Sequence, residues 1–363
     1  MSAIGQAWKR RAVYAAIGAV WLVAAMAGGM TGLFEALGPP PLGRDLEVSR
    51  VVLDRHGKLL RAYLTSEGRW RLAATRQQVD PRYVEALLAY EDKRFYQHRG
   101  VDPYAMLRAA FQLATHGRIV SGGSTLSMQV ARLLEPRQRR SVDAKLRQVV
   151  RAIELEWTLS KDEILGLYLT LAPYGGNLEG IRAASYAYFG KEPRRLTLGE
   201  AAFLVALPQS PEYRRPDRFP EVAKRARDRV LDRIAGGLAF GDAEIAHAKD
   251  EPVPSSRKSL PLIAPHAADQ AMATSPHKTA IQLTIDESLQ QALESLARER
   301  THTLGPDMSV AMVVVQNATG QVLARVASPD YFDERRAGRP QRRVPGGREP
   351  AVARMPEDSQ TGV

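Results

Sequence analysis

The 363-residue sequence contains no cysteine, which excludes disulfide bonds, a thiolate nucleophile and any cysteine-based metal site. It also lacks zinc-ligand spacing and the aromatic motifs of RNA-binding domains, and its basic residues are spread along the chain. We therefore predict no nucleic-acid partner, although the formal net charge is +11. A basic excess of this size suits a polyanion or an anionic membrane surface instead.

Residues 12–34 form an uncharged, largely apolar stretch that follows Lys9, Arg10 and Arg11. About 20 apolar residues cross a bilayer as a helix, and a basic flank favours the cytoplasmic side. We therefore predict a single-pass anchor in the cytoplasmic (inner) membrane, with the rest of the chain on the periplasmic side. A cleaved signal peptide is the alternative, with Ala25-Met26-Ala27 as its cleavage site. The anchor is favoured because the apolar run is longer than the core of a signal peptide.

Internal repeats are absent, and the length allows two domains with substantial cores. The apolar pattern from Asp80 to Ile234 is helical almost throughout, so we predict a mainly α fold. The predicted segments are a cytoplasmic N-terminus (1–11), a transmembrane anchor (12–34), a spacer with a β-hairpin (35–66), a helical domain (67–235), a linker (236–265), an incomplete α/β fragment (266–332) and a disordered tail (333–363).

The stretch from Asp80 to Gly100 carries the first candidate for chemistry. Asp80 and Pro81 are typical of a helix start, and Glu91 falls in line with apolar residues at helical spacing. A carboxylate on an apolar stripe is costly unless it is paired or protonated. Glu91 is therefore a candidate general acid or base. The alternative is a glutamate at the helix edge in a salt bridge to Lys93 or Arg94.

Two further segments favour anions. Residues 121–134 are a Gly-Gly loop feeding a helix that Ser124 and Thr125 can cap, and such a helix N-terminus can bind phosphate. An ordinary capped helix is the alternative, and no Gly-Lys-Ser/Thr follows as in a P-loop. Lys145, Gln148 and Arg151 share one face of the next helix. This basic stripe can hold a phosphate group, with a solvated surface as the alternative.

A series of motifs occurs in a fixed order: Glu91-Asp92-x-x-Phe95-x-x-His98-x-Gly100, Gly122-Gly123-Ser124-Thr125 through Gln129, Lys145, Tyr168-Leu169 through Gly190-Lys191, and Glu200-Ala201-Ala202. This order resembles the peptidoglycan glycosyltransferase domain of class A penicillin-binding proteins over about residues 51–234. The sequences of residues 126–132 and 172–178 are most similar to the 1C branch of that family.

The resemblance implies a lysozyme-like helical fold and an enzyme that polymerises lipid II outside the cytoplasmic membrane. Glu91 would be the general base that takes the proton of the acceptor 4-hydroxyl, and undecaprenyl pyrophosphate would leave with inversion. Asp92 would order the loop, and Lys145 would neutralise the pyrophosphate. The implied substrate-binding residues are Asp92, Phe95, His98, Gly122, Gly123, Ser124, Thr125, Gln129, Arg132 and Lys145.

The sequence departs from this family in two places. Gln148 replaces the family's second glutamate, so we assign no protein ligand for a metal; no cofactor is required, and Mg²⁺ is compatible with the resemblance. Residues 307–332 resemble the start of a transpeptidase domain, but the Ser-x-x-Lys, Ser-x-Asn and Lys-Thr-Gly elements do not follow. We therefore predict neither peptide cross-linking nor covalent β-lactam binding, and the Arg-Pro-rich end resembles a truncation or frame change.

The leading prediction is thus a membrane-anchored peptidoglycan glycosyltransferase. Its partners would be lipid II, the growing glycan strand, the membrane and other cell-wall synthesis proteins. One alternative is a lytic transglycosylase or muramidase on the same scaffold, with Glu91 as general acid. The other is a non-catalytic scaffold of the cell-wall synthesis machinery, which the glutamine at position 148 would allow.

Overall fold

The computed structural model describes residues 46–116, 123–135, 141–237, 240–304 and 308–332, with single positions between 28 and 42. The predictions for residues 1–11, for Gly122 and for the tail over 333–363 lie outside these residues, as does nearly all of the predicted anchor over 12–34. Among the helices that are described, none is both long and apolar enough to cross a bilayer.

Helices dominate the ranges described from residue 46 onward. In chain order the α-helices are α1 (Pro81–Glu91), α2 (Pro103–His116), α3 (Leu126–Leu134), α4 (Val142–Thr158), α5 (Lys161–Leu171), α6 (Ile181–Phe189), α7 (Leu198–Ala206), α8 (Pro220–Ile234), α9 (Asp242–Asp250), α10 (Pro265–Thr274) and α11 (Glu287–Leu304). The strands are β1 (Val51–Leu53), β2 (Leu59–Ala62), β3 (Trp70–Arg71), β4 (Leu178–Glu179), β5 (Ala280–Gln282), β6 (Met312–Val315) and β7 (Val322–Val326). The prediction of a mainly helical chain is confirmed.

The chain divides into two compact units, and the first comprises residues 1–47, 73–185 and 191–256. Its centre is α7, which contacts α1, α8 and α9. Thr197 caps α7 in a capping box with Glu200, and the residues around Glu200 on this helix are buried. A helix that is apolar on all sides is stable only inside a protein. This helix is therefore part of the core of the first unit.

Gly100 lets the loop after α1 approach α4 closely. Its φ angle is +82°, a left-handed conformation that side chains with a Cβ adopt at a cost. A Cβ atom at this position would lie 2.8 Å from the carbonyl carbon and oxygen of Ala152. Glycine is therefore required here both by the backbone conformation and by the contact with α4.

The predicted linker over residues 236–265 contains a helix. In α9, Ile245 and Ala248 are buried, and the helix contacts α7 and α8. The buried guanidinium of Arg227 donates to the carbonyl oxygens of Lys249 and Glu251 at the end of α9. The expectation of a plain linker is wrong for this segment, because an apolar pair one turn apart anchors a short helix among prolines and serines.

The second unit comprises residues 48–72, 186–190 and 257–363. Its three-stranded sheet has the order β2-β1-β5, with β1 antiparallel to β2 and parallel to β5. Val52 pairs with Arg61 on one side and with Ile281 on the other. The hairpin predicted within the spacer is formed by β1 and β2. A second hairpin is formed by β6 and β7, and β7 contacts α11. The sheet's core includes Val52, Leu60, Ile263, Ala268, Ile281 and Ile285.

Candidate functional site

Glu91 is the last residue of α1, and two glutamines hold its carboxylate. Nε2 of Gln129 donates to Oε2 at 2.9 Å, and Nε2 of Gln209 donates to Oε1 at 2.7 Å. The carboxylate is half-buried. The alternative salt bridge is not formed among the described residues, because the guanidinium of Arg94 binds Asp102 instead. Glu91 is thus oriented by neutral donors and carries no ion pair there.

Gln209 is a site residue that the sequence reasoning missed. It lies in a short 3₁₀ helix, Leu207–Gln209, directly after α7. Its Oε1 accepts a hydrogen bond from Arg214 Nη1 at 3.1 Å and from the Tyr90 hydroxyl at 3.5 Å. Because that oxygen is taken by donors, the amide nitrogen faces Glu91. The motif Leu-Pro-Gln-Ser-Pro was visible in the sequence, but nothing in it pointed to Glu91.

Buried tyrosines lie close to Glu91 in the first unit. The hydroxyls of Tyr83 and Tyr174 are 2.9 Å apart. Burial raises the pKa of Tyr83 and Tyr168 above the ordinary value, and the negative charge of Glu91 raises the pKa of both further. These phenols therefore stay neutral, and the Glu91 charge is close enough to act on them.

Asp92 joins the loop after α1 to the start of α3. Both of its carboxylate oxygens lie 3.0 Å from Nε2 of His98, and Oδ2 also accepts the backbone N–H of Leu126 at 2.9 Å. The side chains of Asp92 and His98 are almost fully buried. Asp92 is therefore a structural centre of the loop.

The second motif begins α3 as its residue types predict. Thr125 caps the helix by accepting the N–H of Met128 at 3.2 Å, and its hydroxyl donates to the carbonyl of Gly100 at 2.5 Å. Ser124 is exposed and accepts a hydrogen bond from Lys145 Nζ at 2.7 Å. Thr125 thus links the second motif to Gly100 of the first motif, and the hydroxyl of Ser124 contacts Lys145 of the third motif.

Lys145 and Arg132 form a pair of cations beside this hydroxyl. The pKa of Lys145 is lowered, first because the site removes part of its hydration and second because Arg132 repels it. Among the residues that the structure describes, neither cation has an acidic partner. Two uncompensated cations next to a serine hydroxyl favour an anionic ligand.

Glu91 and these cations lie around the same helix, α3. Gln129, which binds Glu91, is three residues before Arg132, so both side chains lie on one face of α3. The charges of Glu91 and Arg132 both act on Tyr168. Burial and the negative charge of Glu91 raise the pKa of Tyr168, and the positive charge of Arg132 lowers it in part. The acid and the cations are therefore parts of one site.

Arg151 does not continue the predicted basic stripe. Its guanidinium is buried and binds Glu135 at 2.9 Å and Glu154 at 2.5 Å. It also donates to the carbonyl oxygens of Leu37 and Gly38, at 3.0 and 2.7 Å. Arg151 therefore fastens the segment before the prolines to α4 and is not available for a phosphate.

Gln148 and the question of a metal can be considered together. Gln148 is half-buried, and within the described ranges it has no hydrogen-bond partner. No group of three or more His, Asp or Glu side chains suited to a metal occurs among the described residues. Because Gln148 carries no negative charge and Lys145 binds Ser124, the residues at this position do not fit a divalent cation.

Comparison with known proteins places residues 56–235 in a family. Residues 56–235 match the family model described as transglycosylase, and this part of the chain is a transglycosylase domain of the kind found in class A penicillin-binding proteins. The chain is 43% identical over 304 residues to penicillin-binding protein 1C of Escherichia coli K12, which covers 84% of this chain and 39% of that protein.

Two further relatives agree with this assignment. Penicillin-binding protein 1A of Vibrio cholerae serotype O1 is 34% identical over 70% of this chain and 32% of its own length. Penicillin-binding protein 1F of Bacillus subtilis 168 is 29% identical over 79% of this chain and 42% of its own length. The chain thus spans less than half the length of each of these three relatives.

Proposed function

We propose that the chain is a peptidoglycan glycosyltransferase that polymerises lipid II into β-1,4-linked glycan. The observation that carries the proposal is the arrangement around α3. A half-buried carboxylate, held by Gln129 and Gln209, lies in one site with the uncompensated cations of Lys145 and Arg132. A base and an anion site together suit a reaction in which a hydroxyl attacks while a pyrophosphate leaves.

In the proposed step, Glu91 takes the proton of the acceptor 4-hydroxyl. The resulting oxygen attacks the anomeric carbon of the donor, the bond to undecaprenyl pyrophosphate breaks with inversion, and Lys145 and Arg132 neutralise the charge on the leaving group. Gln129 and Gln209 both donate N–H groups to Glu91, which suits a carboxylate that can accept but not donate. The same contacts argue against the alternative role as general acid in a lytic enzyme.

The remaining site assignments are part of this proposal. Asp92, Phe95 and His98 hold the loop beside Glu91, and Ser124 and Thr125 shape the donor side. We assign no metal ligand at Gln148 and no step that depends on Mg²⁺.

We further propose that the glycosyltransferase domain spans 67–235 with a lysozyme-like fold and that residues 266–332 perform no cross-linking. Absence of a band after labelling with fluorescent penicillin would agree with the last point; a labelled band would contradict it.

The exposed side of α2 supports a location at the membrane. Tyr104, Leu107 and Phe111 are all strongly exposed, and their spacing puts them on one face of the helix. An apolar face of this kind on a basic protein suits the interface of an anionic bilayer. We propose that the chain works at the outer face of the cytoplasmic membrane behind a single-pass anchor over 12–34, where lipid II is available.

The proposed function is tested by giving the full-length protein lipid II in one reaction and isolated sacculi in another. We expect glycan chains from lipid II, blocked by moenomycin, and no soluble fragments from sacculi. Soluble fragments without glycan synthesis would favour the lytic alternative. No reaction with either substrate, in wild type and Glu91→Gln alike, would favour the non-catalytic scaffold.

Replacing Lys145 by alanine is expected to weaken use of the lipid II donor. A hydrogen bond to a charged group contributes about 1.5–3 kcal/mol, so the donor KM should rise roughly tenfold to a hundredfold. Steady-state kinetics at varied lipid II concentrations would measure the change in the donor KM. Lys224→Ala is the matched control, because this ammonium is exposed on α8 and pairs with Asp228. Equal donor saturation in the two variants would contradict the placement of Lys145.

Replacing Gln209 by glutamate is expected to move the pH dependence of the reaction. The amide nitrogen now lies 2.7 Å from Glu91 Oε1, so the change would bring two carboxylates into contact. Like charges disfavour ionisation, so the base form would be reached only at higher pH. The acidic limb of the pH–rate profile should therefore shift to higher pH. Gln77→Glu, the same change at an exposed position, should leave the profile in place; an unmoved limb in Gln209→Glu would refute the contact.

A further inference from the structure

The side chain of Gln209 is exposed, so packing alone does not fix the direction of its amide group. In the structure its Nε2 donates to Glu91 Oε1 at 2.7 Å. If the amide were rotated by half a turn, its oxygen would face the carboxylate, and two acceptors cannot form a hydrogen bond. The contact with Glu91 therefore depends on the groups that bind the amide oxygen of Gln209.

The guanidinium of Arg214 binds that oxygen. Its Nη1 lies 3.1 Å from Gln209 Oε1. A guanidinium only donates and stays protonated, so the oxygen of the amide, and not its nitrogen, must face Arg214 at any working pH. The hydroxyl of Tyr90 lies 3.5 Å from the same oxygen, which makes it the weaker of the two contacts. The orientation of Gln209 thus follows from Arg214, whatever the protonation state of Glu91.

Arg214 is itself fixed by the backbone around Gln209. Its Nη1 also donates to the carbonyl oxygen of Ala206, the last residue of α7. The last carbonyls of a helix have no partner within the helix, and an arginine near the helix end can supply one. The backbone N–H of Arg214 donates to the carbonyl of Ser210 at 3.0 Å. The half-buried side chain is therefore anchored to the segment that carries Gln209.

The charge of Arg214 also acts on Glu91. Arg214 forms no salt bridge among the residues that the structure describes. Burial lowers the pKa of Arg214 and repulsion by Arg229 lowers it further, whereas Tyr90 and the negative charge of Glu91 raise it in part. This interaction is mutual, because a positive charge near a carboxylate favours the ionised form of that carboxylate.

The other titratable and charged groups near Glu91 act differently. Tyr83 on α1 and Tyr168 on α5 are neutral, because burial raises the pKa of both phenols. Arg132 lies on α3, at the proposed pyrophosphate site, where its charge acts on Tyr168. Arg214 is a cation that acts on Glu91 from the segment after α7.

We propose that Arg214 is a positioning residue for the general base. It holds the amide of Gln209 so that an N–H faces Glu91, and its charge favours the ionised form of Glu91. The inference rests on the proposed function of Glu91 as the base. Because Arg214 acts through Gln209, it needs no contact with either substrate. Its removal should therefore slow the chemical step without weakening the binding of lipid II.

Kinetics of the full-length protein with lipid II test this role. Arg214→Met removes the charge and the donors, and we expect kcat to fall about 10-fold to 100-fold through misplacement of the base. Unlike in Lys145→Ala, the lipid II KM should stay within about twofold. Without the cation the base form is reached only at higher pH, so the acidic limb of the pH–rate profile should move upward by roughly 0.3–1 pH unit.

Two variants serve as controls for this result. Arg214→Lys keeps the charge and a donor, so it should restore most of kcat and the wild-type acidic limb. Arg218→Met removes an exposed cation from the same loop and should change neither. A raised KM with unchanged kcat in Arg214→Met would make Arg214 a substrate contact and would overturn the proposal.

Gln209→Leu tests the connection at an exposed position, where the substitution is well tolerated by the fold. It should lower kcat as Arg214→Met does. Adding Arg214→Met to it should lower kcat by no more than about a further threefold, because the two residues act as one unit. Full multiplication of the two losses would show that Arg214 does not act through Gln209.

A titration without catalysis decides the inference independently. In full-length protein carrying ¹³C-labelled glutamate, the carboxyl resonance that is absent from Glu91→Gln identifies Glu91. Its titration midpoint should lie at higher pH in Arg214→Met than in wild type and should not move in Arg218→Met. An unmoved midpoint in Arg214→Met would refute the proposal. Absence of glycan synthesis by the wild-type protein would instead contradict the proposed function and would leave this measurement valid.

Discussion

Replacing Glu91 by glutamine is expected to lower the rate of lipid II polymerisation by about 100-fold to 10,000-fold, the contribution of a positioned general base. Glutamine keeps the shape of the side chain but cannot take the acceptor proton. The amide of Gln209 can still donate to the new carbonyl oxygen, and Gln129 can turn its own amide oxygen toward the new NH2 group, so the local structure should remain. The rate of glycan formation from lipid II, followed with a labelled substrate, measures the loss.

The control for this prediction is Glu85→Gln on the same helix. Glu85 lies on the exposed side of α1, so the same chemical change there should leave the rate within about twofold. Thermal unfolding of both variants should match that of the wild-type protein. A Glu91→Gln variant that retains the wild-type rate would remove the base from the proposed mechanism, whatever the other variants do.

Replacing Asp92 by alanine is expected to destabilise the first unit by about 2–6 kcal/mol, because leaving each of two buried donors without its acceptor costs about 1–3 kcal/mol. The change would leave the N–H of Leu126 and the imidazole of His98 without their acceptor, both inside the protein. Chemical denaturation would measure the free energy of unfolding. Because Asp92 directly follows Glu91 in the chain, glycan synthesis should fall as well.

A double-mutant cycle separates this contact from general damage. Combining Asp92→Ala with His98→Ala should cost less than the sum of the two single changes, because each already removes the same interaction. Asp143→Ala is the control: this exposed carboxylate pairs with Arg147 one turn away, and such pairs contribute at most about 1 kcal/mol. Strict additivity in the cycle would show that the Asp92–His98 contact carries little of the stability.

Local features of the site could be predicted from the sequence. Asp80 caps α1 through the N–H of Arg82, and Thr125 caps α3, because each residue type satisfies a helix end within a few positions. Two apolar runs on either side of Asn317-Ala-Thr-Gly320 indicate the hairpin of β6 and β7 in the same way. In these cases the partners are close in the chain, so residue type and spacing determine the contact.

Contacts between distant segments could not be predicted in this way. Gln209 contacts Glu91 although 118 positions separate them in the sequence. Val52 likewise pairs with Ile281, which lies far from it in the sequence. Periodicity shows which face of a segment is apolar, but not which segment covers it. The acidic partners of Arg151 illustrate the same limit: the spacing put Arg151 on a basic face, and packing made it a buried anchor.

The hydrogen bonds from Arg151 to the carbonyls of Leu37 and Gly38 limit how far the proposed catalytic site can lie from the membrane. The chain is already tied to α4 before it enters Pro39, so the proline run is not a tether that sets the distance from the bilayer. A span that ends at residue 34 would leave only three residues, about 10 Å when extended, before the tie. The proposed catalytic site would then lie close to the membrane surface, and the lipid carrier could react while its tail stays in the bilayer. Inserting further prolines after Gly38 would lengthen the chain beyond the contact with α4 and would not increase the distance between the site and the membrane.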